Sequence, residues 1–204
     1  VNLQVGHGTL PVATKKDFKT GSFIETNNPF DVAIDGSGFF QIELPNGEMR
    51  YTRDGSFKIS VDGDEGKLVT SEGYTVLSDD DDEIVFDTGL RDVTIDEFGN
   101  ITATDEDGET TEIARLKTVN FMNPEGLLSE GMNLYSRTVA SGEEMPIELE
   151  EMKSKIAQGY LESSNVQVVE EMVKMITAQR AYELNSKTIQ ASDEMLQIIN
   201  NLKR

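Results

Sequence analysis

Short runs of alternating hydrophobic and polar residues fill the middle of the chain, from residue 30 to about residue 119. These runs are rich in β-branched and aromatic side chains, and glycine-containing turns separate them at spacings of about ten residues. The clearest pair, residues 39–44 and 48–52, flanks Asn46-Gly47 and predicts a hairpin in which both turn residues adopt positive φ. Because no helical pattern intervenes, we predict a mainly β domain, an antiparallel sandwich or a barrel-like fold.

The last part of the chain follows the spacing of a helix instead. No Pro or Gly occurs between Val166 and Arg204, so we expect one helix of nearly forty residues, about 58 Å long. Asn165 is the expected N-cap, and Lys203 and Arg204 lie at the negative end of the helix dipole. Residues 120–150, which come before this region, are expected to be loop and connector. The predicted molecule is therefore elongated, a β domain followed by a long C-terminal α-helix.

Apolar residues form two seams along this predicted helix. The first seam consists of Tyr182, Ile189, Leu196 and Ile199. The second seam consists of Leu184, Met195 and Leu202, together with Ala191 and Ile198. The seams are about 110° apart around the axis at about 100° per residue, and polar residues occupy the remaining surface. A helix with two apolar seams needs more than one partner, and the sequence predicts no second long amphipathic helix.

We therefore predict that the seams contact other copies of the protein, an absent N-terminal segment, or both. The predicted assembly interface consists of Tyr182, Leu184, Ile189, Met195, Leu196, Ile199 and Leu202. Met172 and Met175, also at helical spacing, are interpreted as adaptable packing residues. The alternative is that the seams pack onto the β domain as ordinary core. We favour assembly, because a helix of about 58 Å overhangs a domain of about 120 residues, whose radius of gyration is about 14 Å.

The charge of the chain is strongly acidic and unevenly distributed. The 204 residues include 18 Lys and Arg against 38 Asp and Glu, a formal charge of -20. Residues 54–112 carry -16 of this charge, whereas residues 153–204 carry +1. Because such a charge repels nucleic acids and anionic lipids, we predict neither as a partner. No apolar run reaches the roughly 20 residues of a membrane span, so we expect no membrane insertion.

The sequence offers only weak candidates for catalysis or metal binding. It contains no Cys and a single His, His7, which excludes thiolate and multi-histidine metal sites. Residues 62–66 and 79–83 are acidic, but the first run lacks oxygen ligands that a calcium loop requires, and both are interpreted as solvated turns. Residues 36–38, Gly-Ser-Gly, are interpreted as a tight turn. We therefore predict no enzyme, cofactor or metal; a β-domain enzyme or a calcium-binding module is the alternative.

Four separated groups of residues form a recognisable set. The C-terminal group comprises residues 158–166, 175–176, 179–187 and 193–196. Two groups lie upstream, Asp-Gly-Ser-Gly-Phe-Phe at residues 35–40 and Tyr-Thr-Arg-Asp-Gly-Ser-Phe at residues 51–57. The fourth, residues 121–142, contains Asn133-Leu134-Tyr135. Taken in chain order, the four groups resemble those of the bacterial flagellar rod and hook proteins over almost the whole chain. Residues 121–142 resemble the distal-rod member of that family in particular.

The resemblance implies a structural subunit of the flagellar distal rod, the drive shaft that transmits torque from the motor to the hook. It implies helical polymerisation, with a β-rich outer domain and an inner layer of paired, coiled-coil-like N- and C-terminal helices. The implied partners are other copies, the neighbouring rod and hook proteins and the flagellar type III export apparatus. The implied location is the basal body, in the cell envelope and outside the cytoplasm. A proximal rod or hook subunit is the alternative within the family.

The resemblance also divides the chain into three segments. Residues 1–29 correspond to a linker after a missing N-terminal helix, residues 30–150 to the β-rich outer domain, and residues 151–204 to the C-terminal helical assembly segment. The family's N-terminal helix motif does not occur in this sequence. We therefore expect the chain by itself to remain a monomer or a small oligomer.

Overall fold

The computed structural model describes residues 10, 12, 14–63, 65–87, 91–105, 108–146 and 154–202, without the side chains of Asp62 and Arg91. Within these residues, short β-strands are followed by one long α-helix, which confirms the predicted fold class. The strands belong to one compact unit, Val1–Ser163, and the helix belongs to a second unit, Ser164–Arg204. His7, Lys203 and Arg204, which the sequence singled out, lie outside the described residues.

The strands are short, and their bounds follow in chain order. They are β1 (Phe23–Glu25), β2 (Val32–Asp35), β3 (Phe39–Glu43), β4 (Met49–Thr52), β5 (Lys58–Asp62), β6 (Glu65–Val69), β7 (Thr75–Val76), β8 (Val85–Asp87), β9 (Arg91–Ile95), β10 (Asn100–Thr104), β11 (Thr110–Arg115), β12 (Thr118–Phe121), β13 (Leu128–Gly131), β14 (Leu134–Ser136), β15 (Glu144–Pro146), β16 (Lys155–Gln158) and β17 (Tyr160–Glu162). A 3₁₀ turn, Pro124–Gly126, precedes β13, and the helix α1 spans Val168–Leu202.

The strands pair into four sheets, and every pairing within the described residues is antiparallel. The largest sheet has ten strands and runs β13-β14-β4-β3-β7-β6-β5, with β12 beside β3, β15 beside β12 and β8 beside β6. The second sheet has three strands in the order β11-β10-β9. The two remaining sheets are the two-stranded ribbons β1-β17 and β16-β2. Both ribbons join a strand from the start of the unit to a strand from its end.

The predicted hairpin is confirmed as β3 and β4, but its turn differs from the expected one. The N–H of Gly47 donates to the C=O of Leu44 at 2.8 Å, and the N–H of Leu44 donates to the C=O of Glu48 at 3.0 Å. Only Gly47 of the two expected residues has positive φ, at 80°. Pro45 fixes the φ that the second position of a type I turn requires, so a longer turn with a glycine bulge replaces the two-residue turn.

Two clusters of buried side chains hold the unit together. The larger cluster includes Ile34 of β2, Phe40 of β3, Ile101 of β10 and Ile156 of β16, and it therefore joins three of the four sheets. The rings of Phe40 and Phe57 pack edge to face with their centroids 5.1 Å apart. The smaller cluster consists of Phe39, Tyr51, Val119 and Phe121. Phe39 and Phe40 therefore project into different cores from the two faces of one strand.

Three regions differ from the expected secondary structure. Residues 120–150, expected to be loop, contain β13, β14 and β15 within their described part. β1 lies inside the expected linker 1–29, and β16 and β17 lie inside the expected helical segment 151–204. Along the chain, the boundary between the two compact units lies between Ser163 and Ser164 rather than at residue 150, because Ile156 belongs to the β core. These strands have three or four residues each, too few for alternation to be visible in the sequence.

Candidate assembly surface

The helix α1 is continuous because its sequence contains nothing that interrupts it. The first backbone bond runs from the N–H of Glu171 to the C=O of Gln167 at 3.1 Å, so the helix begins after Gln167 and the cap expected at Asn165 is two residues too early. Glu171 also pairs with Lys174 at 2.7 Å. This hydrogen bond and the adjacent negative charge raise the pKa of the Lys174 ammonium.

Hydroxyl side chains of α1 bond to the helix's own backbone. Thr177 donates to the C=O of Val173 at 2.8 Å, Thr188 to that of Leu184 at 2.8 Å, and Ser192 to that of Thr188 at 2.9 Å. Each hydroxyl donor is therefore satisfied without water or a partner. Thr188 and Ser192 lie between the apolar seams, and their internal bonds make this surface less polar than the sequence suggests.

The seven predicted interface residues all lie on α1, and all are exposed in this chain. Their exposed fractions run from 62% for Ile199 to 81% for Leu202. The full set with comparable exposure is Tyr182, Leu184, Ile189, Met195, Leu196, Ile199 and Leu202. A contiguous set of large apolar side chains in water is uncommon on a monomer and marks an interaction surface. α1 is therefore the candidate functional site.

The β unit brings three of the sequence motifs together at Arg53. The Nε of Arg53 donates to the Glu162 carboxylate at 2.8 Å, and both side chains are almost buried. The guanidinium also donates to the C=O groups of Gly36 at 3.2 Å and Gly38 at 3.0 Å. Both glycines have positive φ, 126° and 144°, so residues 36–38 form the predicted tight turn and present their carbonyls to one cation. Residue types alone did not reveal this contact.

The motif Asn133-Leu134-Tyr135 packs against the same region. Asn133, at φ 58°, donates from Nδ2 to the Asp54 carboxylate at 2.9 Å. Tyr135 stacks edge to face on Phe18, with centroids 5.2 Å apart. Lys16 lies over the Tyr135 ring at 4.7 Å. The segment expected to be a linker is therefore attached to the β unit by an aromatic residue and a cation that the sequence pattern did not single out.

The acidic run 79–83 forms a turn rather than a recognisable metal site. The N–H of Asp81 donates to the C=O of Ser78 at 3.0 Å, and its carboxylate pairs with the mostly buried Lys117. Among the residues that the structure describes, no group of three or more His, Asp or Glu side chains is placed to hold a metal ion. No helix in the described ranges combines the length and the apolar character needed to cross a membrane.

Comparisons with known families match both units. The family described as "Flagellar hook protein FlgE/F/G D1 domain" matches residues 33–103, and "Flagellar basal body rod FlgEFG protein C-terminal" matches residues 157–202. The second match covers α1, strand β17 and the second half of β16. The first contains Arg53 and both glycines of its turn. Both regions that carry the geometry described above are therefore regions that the family shares.

Curated relatives match nearly the whole chain. The flagellar basal-body rod protein FlgG of Borreliella burgdorferi is 47% identical over 98% of this chain and 75% of that protein. FlgG of Agrobacterium fabrum is 41% identical, covering 98% and 74%, and FlgG of Bacillus subtilis is 34% identical, covering 98% and 75%. Among solved structures, the Helicobacter pylori flagellar hook protein FlgE2 has a TM-score of 0.32 at 16% identity, covering 65% of this chain and 43% of that one. The near-complete FlgG matches carry the assignment: the chain belongs to the family of the flagellar basal-body rod protein FlgG, and it is a structural subunit of the rod.

Proposed function

We propose that this subunit builds the distal part of the rod and that the exposed apolar residues of α1 hold neighbouring copies together. The observation that carries this proposal is the exposure of all seven predicted interface residues along one helix. In a rod, heterologous contacts repeat without closing into a ring, so one interface per subunit can propagate a filament. The filament transmits torque from the motor to the hook by its stiffness. The neighbouring rod and hook proteins are the partners at its two ends.

The energetics favour assembly through these side chains. Full burial of one Leu, Ile or Met contributes about 1.5–3 kcal/mol. Association costs about 4–15 kcal/mol in lost translational and rotational freedom. Seven side chains that are still mostly exposed in the free chain therefore supply enough apolar area to exceed this cost. The protein acts through contact and rigidity, and we assign it no catalytic residue.

Location and export belong to the same proposal. A drive shaft between motor and hook crosses the cell envelope, so the subunit works outside the cytoplasm and leaves the cytoplasm through the flagellar type III apparatus. The FlgG relatives, which match over almost the whole chain, support this placement. The similarity of residues 121–142 to the distal-rod member favours the distal over the proximal rod.

A charge placed on the apolar side of α1 tests the role of the helix. Leu196→Asp combined with Ile199→Asp puts two carboxylates into the predicted interface. Gln197→Asp combined with Asn201→Asp puts the same charge on the polar side of the same turns. We expect the first pair to weaken self-association at least about tenfold, because burying an unpaired carboxylate is costly, and the second to leave it unchanged. Sedimentation velocity over a concentration series measures the association.

A second readout separates assembly from folding. Near-ultraviolet circular dichroism follows the tyrosines, four of which, Tyr51, Tyr74, Tyr135 and Tyr160, lie in the β unit. We expect both variant pairs to melt like the parent chain. If the Leu196 and Ile199 changes lower the melting temperature of the β unit as well as weakening association, the helix is part of the core of that unit and the proposal is wrong. Equal loss of association in both pairs would also contradict it.

A further inference from the structure

The turn between β3 and β4 contains Asn46-Gly47, and no other asparagine of the sequence is followed by glycine. The backbone nitrogen of Gly47 can attack the side-chain carbonyl carbon, Cγ, of Asn46, because glycine has no Cβ to obstruct the approach. Pro45, Asn46, Gly47 and Glu48 are all exposed, so water and hydroxide reach the turn. The turn therefore has both the reacting groups and the solvent that deamidation of an asparagine requires.

Deamidation at this dipeptide is a condensation followed by a hydrolysis. In the first step the Gly47 nitrogen loses its proton and bonds to Cγ of Asn46, while the Cγ–Nδ2 bond breaks. The Nδ2 nitrogen leaves as ammonia and takes up the proton, and a cyclic imide remains. In the second step water opens the imide. Cleavage of the new bond to Cγ gives aspartate, and cleavage of the original peptide bond gives isoaspartate. Water is the only co-reactant, and no oxidation or reduction occurs.

Hydrogen bonds of the folded turn occupy both reacting groups. The N–H of Gly47 donates to the C=O of Leu44 at 2.8 Å. Oδ1 of Asn46 accepts the N–H of Glu48 at 3.0 Å, and Nδ2 of Asn46 donates to Oε2 of Glu48 at 3.0 Å. The attacking nitrogen is therefore held as a donor, and the carboxamide is held by Glu48. These bonds must break before Gly47 can attack.

The backbone of the turn opposes this release. The ring of Pro45 fixes its φ, and Gly47 adopts a φ of 80°, which glycine tolerates without strain. The N–H of Leu44 donates to the C=O of Glu48 at 3.0 Å and closes the turn from the strand side. The Glu48 carboxylate is itself paired with Arg50 at 2.8 Å. Release of the Asn46 carboxamide therefore requires a local opening of the turn.

We propose that Asn46 is a site of spontaneous deamidation and that opening of the turn between β3 and β4 sets its rate. Both products favour the open turn. Aspartate at position 46 places a carboxylate where Nδ2 now donates to Glu48, so two like charges replace a hydrogen bond. Isoaspartate also adds a carbon to the main chain, which displaces the N–H of Gly47 from the C=O of Leu44. The modification therefore loosens the end of the hairpin permanently.

Rates of deamidation in the full chain test this inference. The chain is incubated at mildly alkaline pH, folded or unfolded in guanidinium chloride, and tandem mass spectrometry of its peptides locates each modified asparagine. We expect Asn46 to react at least about tenfold more slowly in the folded chain, because opening must precede attack. Pro45→Ala loosens the turn but keeps Asn46-Gly47. It should raise the rate in the folded chain about twofold to fivefold and leave the rate in guanidinium chloride unchanged.

Amide hydrogen exchange at Gly47 reports the same opening, because this N–H exchanges when its bond to Leu44 breaks. Pro45→Ala should accelerate exchange and deamidation together. Pro124→Ala, the same change in the 3₁₀ turn, should alter neither. Unchanged near-ultraviolet circular dichroism confirms that both variants are folded.

Three results would overturn the inference. The first is an equal rate at Asn46 in the folded and the unfolded parent chain, a comparison that needs no variant. The second is faster exchange at Gly47 in Pro45→Ala without faster deamidation. The third is earlier modification of Asn185, which precedes Ser186 inside α1, in the folded chain. None of these measurements depends on rod assembly, so the proposed function is tested separately.

Discussion

Removal of the Arg53 guanidinium is the sharpest test of how the β unit is held together. Arg53 and Glu162 form an ion pair in which the side chains are 13% and 12% exposed. Arg53→Met keeps most of the aliphatic stem but removes the charge and the donors to Glu162, Gly36 and Gly38. The Glu162 carboxylate then remains buried without its cation. The C=O groups of Ile34, Gly36 and Gly38 each lose a donor.

The expected loss is large for a single substitution. Breaking a buried ion pair by removing one partner costs about 3–5 kcal/mol. Glu162 keeps one hydrogen bond, from the N–H of Gly21 at 2.9 Å, so we expect the lower end of that range. A loss of about 3 kcal/mol lowers the melting temperature of a domain of this size by roughly 6–12 °C. Urea titration of the near-ultraviolet signal gives the free energy directly.

Two controls make the result specific to burial and pairing. Lys155→Met removes a cation from an ion pair with Glu97 in which both side chains are more than 60% exposed, and we expect no measurable loss of stability. Arg53→Met combined with Glu162→Gln removes both buried charges and should recover part of the loss. If Arg53→Met is no more destabilising than Lys155→Met, the buried pair of Arg53 and Glu162 does not stabilise the β unit.

Two further predictions concern close packing and ionisation in the β unit. A Cβ on Gly55 would lie 1.7 Å from the carbonyl oxygen of Val32, so Gly55→Ala should prevent native packing. Gly108 has open space around it and a φ of 82°, so Gly108→Ala should lower the free energy of unfolding by only about 1–2 kcal/mol. Urea titration measures both losses, and equal losses would contradict this reasoning. Burial, and then the hydrogen bond to Glu144, raise the pKa of the Tyr51 hydroxyl above its usual 10.0. This stabilisation is complete below pH 10 and is lost as the pH rises further, so absorbance at 295 nm should show one tyrosine that ionises only on unfolding, and Tyr51→Phe should abolish that step.

The sequence was informative where a regular pattern continues over many residues. β10 shows the expected alternation, with Ile101 and Ala103 buried and their neighbours partly exposed. α1 was predicted within a few residues because no Gly or Pro interrupts it over ten turns. Both predictions depend on local periodicity, which needs no knowledge of the partner strand or helix.

The sequence was uninformative where a short element depends on a distant partner. β1 pairs Phe23 with Glu162, across most of the β unit, and its three residues are all exposed. β13 also consists of exposed residues and is held at the sheet edge by β14 alone among the described strands. In such strands backbone bonds replace side-chain burial, so the hydrophobic pattern carries no signal.

The sequence predicts only part of the exposed apolar surface of α1. The two predicted seams lie along the carboxy-terminal part of the helix, whereas the sequence predicts Met172 and Met175 only as adaptable packing residues. Val169, Met172, Val173 and Ile176 are also exposed on α1 and recur at three- and four-residue steps, the spacing of one helix face.

The helical unit and the β unit differ in net charge, and this difference affects how each would interact with the same unit of another copy. The helical unit is neutral, so the whole formal charge of -20 belongs to residues 1–163. At physiological salt, charges interact over about 8 Å, and apolar side chains on α1 must approach a neighbour more closely than that to be buried. A neutral helix permits this approach, whereas acidic β units repel one another and remain solvated. Under the proposed assembly, the acidic β units therefore oppose non-specific collapse of the exposed helices.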